Sequence, residues 1–324
     1  YSDPAKLREL AESCDIITFE LEDIDVEPLL RLQEEGYTFQ PAPHVLATIQ
    51  DKLKQKVFLR DAGIPTSDFI EMPEPDAQVF ENFGYPLVQK ARRGGYDGRG
   101  VAVMKTAADF ATNLPVASIT EKFIEADKEI SVLVARNAAG ECRAYPVVEM
   151  VFVEGHNVLD VLLAPARIDD NIAEAARELG IKTVKALNGV GIFGVEMFLT
   201  KAGDILVNEV APRTHNSGHQ SIEANVTDQF EQHLRAILNL PLGDADLLSS
   251  SAMVNLLGEP GFAGRPVIRG MNEALAIPGV SVHFYGKAVT KPYRKMGHVT
   301  VLDKDIQKAW DKAEQVKSIL AIEG

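Results

Sequence analysis

The sequence predicts a protein of mixed α/β and α+β class, and three observations lead to this prediction. Residues 1–41 alternate between strand and helix patterns, which is typical of an α/β layer. Residues 42–241 combine short strands, some of them paired as hairpins, with longer helices. Residues 242–324 are rich in strands and close with one helix. We place the two domain boundaries at Pro41 and Pro241.

The first part reads as helix, strand, helix and strand. Alternation along the first strand puts Glu20 and Glu22 on one face, and Gly36 ends the second helix. The chain starts inside this pattern, so we expect an N-terminal segment with a first strand to precede it. The predicted elements span residues 4–13, 15–22, 25–35 and 37–39.

The middle part opens with one long predicted helix over residues 43–62, which Gly63 and Pro65 end. Strands and further helices follow it. The last part is strand-rich over residues 251–294 and closes with a helix over residues 305–320. The strands predicted in the middle part span residues 86–90, 101–104, 119–124, 129–135, 144–153, 192–199 and 204–210, and its further helices span residues 169–187 and 227–238.

Composition narrows the class of protein. The 324 residues include 33 Lys and Arg against 47 Asp and Glu, a net charge of −14. This charge argues against a broad surface for nucleic acid or anionic membrane, but it leaves room for a local basic pocket. Two cysteines cannot form a disulfide framework, and no apolar run approaches the ~18 residues of a membrane span. We therefore expect a cytoplasmic enzyme or binding protein.

A glycine-rich turn follows the strand at residues 86–90. It contains four glycines between Gly94 and Gly100, with Arg93 and Arg99 beside them and Lys90 at the end of the strand. Such a turn can direct successive N–H groups at phosphate oxygens. A plain hairpin loop with solvated arginines is the alternative reading, and glycine content alone does not separate the two.

Two glutamates lie on the strands of a later hairpin. A two-residue turn at Ala202-Gly203 opposes Glu196 to Glu209, about 5 Å apart, where like charges repel. A divalent cation with oxygen ligands removes that repulsion, and Asn208 offers another oxygen. A turn one residue longer opposes Glu196 to Asn208 instead, and a pair of solvated surface glutamates is the remaining alternative. Together, the two hairpins indicate magnesium nucleotide chemistry.

Three motifs resemble 5-(carboxyamino)imidazole ribonucleotide synthetase, a family of the ATP-grasp superfamily that acts in purine biosynthesis. They are residues 93–100, residues 208–219, and the ending at residues 285–298. The resemblance covers essentially the whole chain. It implies an N-terminal preATP-grasp domain that is truncated here, a central ATP-grasp domain and a small strand-rich C-terminal domain. It also implies a homodimer.

The implied reaction joins bicarbonate to the exocyclic amine of 5-aminoimidazole ribonucleotide, with ATP and Mg²⁺, through carboxyphosphate. Within the implied nucleotide site Lys52 and Lys90 would contact the phosphates, and residues 95–101 would cover them. Residues 121–124 would hold the adenine, and Glu129 would hold the ribose. The residues implied to bind the nucleotide are Lys52, Lys90, Gly95, Tyr96, Asp97, Gly98, Arg99, Gly100, Val101, Glu121, Lys122, Phe123, Ile124, Glu129, His156, Asn208 and Glu209.

The resemblance assigns the remaining roles to four more groups of residues. The family's acid-rich strand, which corresponds to residues 20–23 here, suggests that Glu20 and Glu22 lie near the ribonucleotide, and the basic ending would bind the 5′-phosphate. The implied groups are Glu196 and Glu209 for the metal, Arg213, His215 and Asn216 for catalysis, Lys291, Arg294 and Lys295 for the phosphate, and Glu20 and Glu22 for the substrate.

Three alternatives remain at the level of the sequence. A formate-dependent ATP-grasp enzyme that formylates glycinamide ribonucleotide would share the acidic hairpin, but its cover loop differs from residues 94–100. Biotin carboxylase would need a longer chain. A nucleotide-binding protein without turnover is the alternative from another class, and ADP release in the presence of each substrate separates all of these.

Overall fold

The computed structural model of the chain describes residues 3–95, 100–152 and 159–324. Its N-terminal part is a small helical layer around a core that includes Phe19, Leu29 and Phe39. The helices are α1 (Pro4–Ser13), α2 (Val26–Glu34) and α3 (Pro43–Ile49).

The strands predicted at residues 15–22 and 37–39 are wrong as extended elements. They meet at one parallel bridge, between Ile17 and Phe39. The chain bends after this bridge because a turn closes between Glu22 and Ile24, and the Gln50 side chain donates to the carbonyl oxygen of Ile24 at 2.7 Å. The predicted alternation of sides therefore holds only as far as Glu20, since Ile17 and Phe19 are buried whereas Thr18 and Glu20 are exposed.

The long helix predicted over residues 43–62 is also wrong, because the chain forms two helices there. α3 is followed by α4 (Lys52–Asp61), and Asp51 between them has an extended backbone. The Asp51 carboxylate accepts from the N–H groups of Leu53 and Lys54, and Arg92 lies 2.7 Å from it. An aspartate that caps a new helix and binds a distant arginine interrupts a helical pattern without any change in hydrophobic periodicity.

The middle part contains a small antiparallel sheet with the strand order β1-β4-β2-β3. Its core includes Met72, Phe80, Leu87 and Met104. The prediction of strands at residues 86–90, 101–104 and 119–124 is confirmed. The elements of this unit are β1 (Phe69–Met72), α5 (Ala77–Phe83), β2 (Leu87–Ala91), β3 (Val101–Met104) and β4 (Ser118–Lys122).

A large antiparallel sheet forms the centre of the molecule. Helix α6 (Asp170–Leu187) packs on it, and its core includes Val132, Phe193 and Val195. The prediction of one strand over residues 144–153 is wrong, since two strands occupy that region. The first strands of this sheet are β5 (Ala126–Arg136), β6 (Cys142–Ala144), β7 (Val148–Phe152), β8 (Leu159–Ala164), β9 (Gly191–Thr200) and β10 (Ile205–Ala211).

The strand-rich last part extends this same sheet, whose order is β10-β9-β5-β7-β8-β11-β14-β13. The boundaries at Pro41 and Pro241 stay predictions. The remaining elements are α7 (Ser221–Ala224), α8 (Gln229–Ile237), β11 (Ser250–Leu257), β12 (Val267–Arg269), α9 (Met271–Leu275), β13 (Val280–Phe284), β14 (Lys295–Asp303), α10 (Ile306–Ile319) and β15 (Ala321–Glu323).

Candidate active site

A cavity of about 1000 Å³ is lined by residues of both the small sheet and the large sheet. Apolar side chains from both sheets line part of it, among them Val88, Val103, Met150 and Phe198. The sequence-predicted site residues that line this cavity are Glu22, Lys52, Lys90, Gly95, Val101, Glu121, Lys122, Phe123, Ile124, Glu129, Glu196, Asn208, Glu209, Arg213, His215, Asn216 and Lys295.

Glu196 and Glu209 face each other on strands β9 and β10, as predicted, but the register differs from the predicted one. The turn is longer than two residues, and Gly203 adopts a φ of 89° in it. Ile205 therefore pairs with Leu199 next to the turn. A bulge at Asn208 then shifts the register by one residue and brings the two glutamates opposite each other.

Electrostatics divides this acid pair into two different groups. Lys52 Nζ lies 2.6 Å from Glu209 Oε2, and it holds the pKa of Glu209 well below its usual range. Burial, followed by the carboxylates of Glu209 and Glu129, raises the pKa of Glu196. The Glu196 side chain therefore holds its proton more tightly than an ordinary glutamate does, because it is buried and lies beside two other carboxylates.

A second cluster of charges surrounds Glu121 on β4. Lys90 Nζ is 3.1 Å from one carboxylate oxygen and Lys56 Nζ is 3.1 Å from the other. Burial opposes ionisation of Glu121, but these two lysines and the Ser67 hydroxyl outweigh it and lower its pKa to about 2. Lys90 Nζ also donates to Asn208 Oδ1 at 2.9 Å. This cluster ties the small sheet to the acidic hairpin.

Lys56 does not line the cavity, but it supports Glu121 beside it, and the sequence reasoning missed it. Its side chain is 3% exposed, and burial lowers its pKa to about 8. The signal for it was present, because Lys56 lies one helical turn after Lys52, a spacing that puts both lysines on the same face of α4.

Glu129 lies on β5 at the same cavity. Burial raises its pKa to about 7, against the opposing effect of Lys90. A carboxyl group with this pKa changes its charge near neutral pH and can accept hydrogen bonds from hydroxyl groups when ionised.

Arg213 and His215 follow the strand that carries Glu209. Arg213 donates to the Glu22 carboxylate at 2.9 Å, which links this segment to the N-terminal part. His215 Nε2 lies 3.6 Å from Glu196 Oε1, and burial lowers the pKa of His215 to about 3. Gly194 leaves the space that the imidazole fills, since a Cβ there would lie 2.9 Å from His215 Cγ.

Several predicted site residues are not brought to this cavity. Glu20 is exposed and lies outside the cavity. Lys291 and Arg294 lie in the loop before β14, where Arg294 donates to the carbonyl oxygen of Val289 at 2.6 Å. Of the three basic residues predicted to bind the 5′-phosphate, Lys295 alone lines the cavity. Gly100 borders a neighbouring depression.

Among the other predicted residues, Lys122 directs its side chain to neighbouring groups at the end of α5, and five lie outside the residues that the structure describes. The Lys122 ammonium is directed at the ring of Phe83, 4.6 Å from its centroid, and at the carbonyl oxygen of Gly84. The predicted residues Tyr96, Asp97, Gly98, Arg99 and His156 lie outside the described residues.

The residues present fit a magnesium ion bound together with phosphate oxygens. Within the described ranges, no three His, Cys, Asp or Glu side chains form a metal site. Mg²⁺ bound with a nucleotide needs only one or two carboxylates, because phosphates and waters complete its octahedron. The crowded pair Glu196 and Glu209 offers these two carboxylates.

In the described part of the chain, no helix has the length and apolar character to cross a membrane.

The fold and the cavity define an ATP-grasp enzyme, an ATP-dependent ligase. A family model described as the ATP-grasp domain matches residues 57–230. Models described as the ribonucleotide synthetase preATP-grasp domain and the phosphoribosylaminoimidazole carboxylase C-terminal domain match residues 1–50 and 251–312.

Known proteins then specify the family. The chain is 39% identical to N5-carboxyaminoimidazole ribonucleotide synthase of Synechococcus elongatus, over 99% of this chain and 82% of that protein. It is 38% identical to the chloroplastic phosphoribosylaminoimidazole carboxylase of Vigna aconitifolia, over 94% of this chain and 56% of that longer protein. The chain belongs to the N5-carboxyaminoimidazole ribonucleotide synthase family.

Solved structures agree with this assignment. N5-carboxyaminoimidazole ribonucleotide synthetase from Thermotoga maritima matches with a TM-score of 0.93 and 49% identity, over 100% of this chain and 86% of that chain. The Aspergillus clavatus synthase, solved with ADP and 5-aminoimidazole ribonucleotide, matches with a TM-score of 0.89 and 33% identity, over 98% of this chain and 85% of that one.

Proposed function

We propose that this chain catalyses the ATP-dependent carboxylation of 5-aminoimidazole ribonucleotide by bicarbonate to N5-carboxyaminoimidazole ribonucleotide. One observation carries the proposal: a single cavity is lined by the paired glutamates, by Lys52 and Lys90, and by the segment that carries Arg213 and His215. Family membership supplies the substrate class. ATP and 5-aminoimidazole ribonucleotide are small charged metabolites that are present inside the cell, so we propose a cytoplasmic location.

The chemistry requires activation of bicarbonate, because its carbon is a weak electrophile and hydroxide is a poor leaving group. Transfer of the γ-phosphoryl group from ATP to a bicarbonate oxygen forms carboxyphosphate and ADP. Attack of the ribonucleotide amine on the carboxyl carbon, or on the CO₂ that carboxyphosphate releases, forms the new C–N bond. The bond between carbon and the phosphate oxygen breaks, and inorganic phosphate leaves with the electron pair.

Lys52 and Lys90 would bind the phosphates of ATP as point charges, which offsets the charge that shifts during phosphoryl transfer. Glu196 and Glu209 would hold Mg²⁺, which screens the phosphate oxygens when bound. Glu129 would accept hydrogen bonds from the ribose hydroxyls. The apolar side chains from both sheets would enclose the adenine.

Arg213 and His215 would face bicarbonate and the ribonucleotide, and Lys295 would bind an anionic group of the ribonucleotide. Arg213 is held by Glu22, so its guanidinium has a defined position before a substrate arrives. Neutral His215 would accept a hydrogen bond from the attacking amine, and the departing phosphate would take the proton that the nitrogen loses as the C–N bond forms.

An assay of ADP release tests this function. With Mg²⁺ and ATP present, turnover should require both bicarbonate and 5-aminoimidazole ribonucleotide. Turnover with formate and glycinamide ribonucleotide instead would establish the rival formylating enzyme. Nucleotide binding without any turnover would establish the non-catalytic alternative.

We propose, in addition, that the chain forms a homodimer through α8. This helix buries the polar side chains of Gln229 and Gln232 beside the apolar Ala236 and Ile237, whereas Phe230 and Leu234 on its other face are 42% and 54% exposed, and Leu238 just after it is 53% exposed. An exposed apolar stripe of this kind favours an interface over solvent.

A second copy of the chain fits this stripe because it is self-complementary. An antiparallel pairing about a two-fold axis near Leu234 would set apolar side chains against each other, with Glu231 and Arg235, which pair within each helix at 2.6 Å, at the edge of the contact. Light scattering should report a dimer for the wild type and a monomer for Leu234→Glu. The control Leu275→Glu, at an equally exposed leucine on α9, should remain dimeric.

A further inference from the structure

Gln229 joins α8 to the segment that carries His215. Its Oε1 accepts from the backbone N–H of His215 at 2.8 Å, and its Nε2 donates to the backbone carbonyl of the same residue at 3.0 Å. The Gln229 side chain is completely buried. One amide therefore satisfies both backbone polar groups of a single residue, which fixes the position of His215 in two directions.

These two bonds also determine which end of the amide is the donor. A flipped Gln229 would set oxygen against the carbonyl of His215 and its NH₂ group against the N–H, so this orientation is excluded. Gln229 Nε2 therefore faces His219 Nδ1, which lies 3.0 Å away. Because the amide nitrogen donates, His219 Nδ1 has to accept, and His219 is neutral with its proton on Nε2.

The surroundings of His219 favour the same neutral state. Its ring stacks on His298, with ring centroids 4.6 Å apart and planes 14° apart, and His298 stacks in the same way on His283 at 4.5 Å. Two protonated imidazoles in this stack would repel each other, so at most one of the three rings is favoured in its charged form. The stack connects β13 and β14, the strand that begins with Lys295, to the segment of His215.

Other charged groups face the stack from the neighbouring elements. Burial is the largest cause that lowers the pKa of His219 to about 4, the positive charges of Lys295 and Arg213 add to it, and His215 and His283 would add to it when protonated. The carboxylate of Glu223 on α7 lies 2.6 Å from Nε2 of His283, at the end of the stack away from His219. The Tyr285 hydroxyl lies 2.9 Å from His298 Nδ1.

We propose that Gln229 is a positioning residue of the active site, which holds the backbone of His215 beside the acid pair and keeps His219 neutral. This inference rests on the proposed function, because it assigns Gln229 a role through His215. It predicts that the amide nitrogen of Gln229 is needed, not only its size. The nearly isosteric variant Gln229→Glu removes this donor and puts a carboxylate against His219 Nδ1.

Gln232→Glu is a matched control on the same helix. Gln232 is also completely buried, and it also binds both backbone polar groups of one residue, Gly243, at 2.9 Å and 2.7 Å. The two variants therefore lose the same type of hydrogen bond at the same burial. They differ in that Gly243 does not line the cavity.

The experiment measures kcat, the KM for ATP, thermal unfolding and the imidazole NMR signals of His219, assigned with His219→Gln. In wild type, His219 should stay neutral between pH 5.5 and 8. In Gln229→Glu its pKa should rise to or above the ordinary value of about 6.5, because the carboxylate accepts from a protonated Nδ1. The kcat of Gln229→Glu should fall about tenfold to hundredfold, while its KM for ATP stays within about twofold.

The control Gln232→Glu should lose similar thermal stability and keep both its kcat and its His219 titration. Equal losses of kcat in the two variants would overturn the proposal, and so would an unchanged His219 titration in Gln229→Glu. If the wild type itself made no product, the proposed function would fail. The NMR titration would still test whether Gln229 sets the state of His219.

Discussion

Lys52 Nζ lies 2.6 Å from Glu209 Oε2, so the first turn of α4 is joined by an ion pair to the strand that carries the acid pair. Burial opposes the charge on Lys52, but Glu209 more than compensates and raises the pKa of Lys52 above its usual value. When a magnesium nucleotide binds, each member of this ion pair would gain a new partner of opposite charge: Lys52 a phosphate and Glu209 the Mg²⁺ ion.

Lys52→Gln should therefore weaken ATP use strongly. It removes one charge-assisted contact to a phosphate, worth about 1.5–3 kcal/mol, so kcat/KM for ATP should fall about tenfold to more than a hundredfold. Lys54→Gln is the control, because Lys54 is exposed on the same helix. Steady-state kinetics with varied ATP checks the prediction, and equal effects of the two variants would contradict it.

Glu129 predicts a pH dependence near neutrality. Its carboxyl group has a pKa raised to about 7 by burial, so it is protonated at pH 6 and ionised at pH 8. If the ionised form accepts from the ribose hydroxyls, the KM for ATP should fall as the pH rises through 7. Glu129→Gln should remove this part of the dependence. A KM profile that is the same in both proteins would exclude this role.

The same group affects stability with a defined sign. An acid whose pKa is higher in the folded state stabilises the fold below its unfolded pKa, and this stabilisation is lost as the pH rises toward its folded pKa. Between about pH 4.5 and 7, wild type should therefore lose stability relative to Glu129→Gln, and the difference should stop growing above pH 7. Denaturant titrations at several pH values measure this difference.

Gly194 predicts a steric effect on His215. A Cβ at this position would lie 2.9 Å from His215 Cγ, so Gly194→Ala should push the imidazole from its place beside Glu196. We expect kcat to fall about tenfold or more, a barrier change of about 1.4 kcal/mol or more. In a His215→Ala background the additional change should cause little further loss, and a fully additive effect would show that Gly194 acts elsewhere.

Lys295 and Arg294 should differ although they are neighbours in sequence. Lys295 lines the cavity, whereas the Arg294 guanidinium donates to the carbonyl of Val289. Lys295→Ala should raise the KM for 5-aminoimidazole ribonucleotide about tenfold to a hundredfold, and Arg294→Ala should change it little. Kinetics with varied ribonucleotide distinguishes them. A larger effect of Arg294→Ala would show that this arginine turns toward the substrate.

The acid pair shows how local patterns can predict a site while missing its geometry. The strand pattern and the position of the turn predicted that Glu196 faces Glu209, and this is confirmed. The turn is one residue longer than predicted, and the bulge at Asn208 restores the register. A bulge depends on how the strand packs against its neighbours, and the residue pattern of one hairpin does not contain that information.

Contacts between distant residues explain what the sequence could not predict. The break at Asp51 depends on Arg92, which lies 41 positions later, and the support of His215 depends on Gln229 from another helix. Periodicity gives the elements, but it does not show which buried amide or carboxylate will satisfy which backbone group.

Transfer of an oxygen atom tests the central claim most directly. With ¹⁸O-labelled bicarbonate, unlabelled ATP, Mg²⁺ and 5-aminoimidazole ribonucleotide, the inorganic phosphate should carry one ¹⁸O atom, because a bicarbonate oxygen becomes the bridging oxygen of carboxyphosphate and leaves with the phosphate. ³¹P NMR resolves labelled from unlabelled phosphate. Phosphate that contains only oxygen from ATP and water, at the same rate of ADP release, would contradict the proposed reaction.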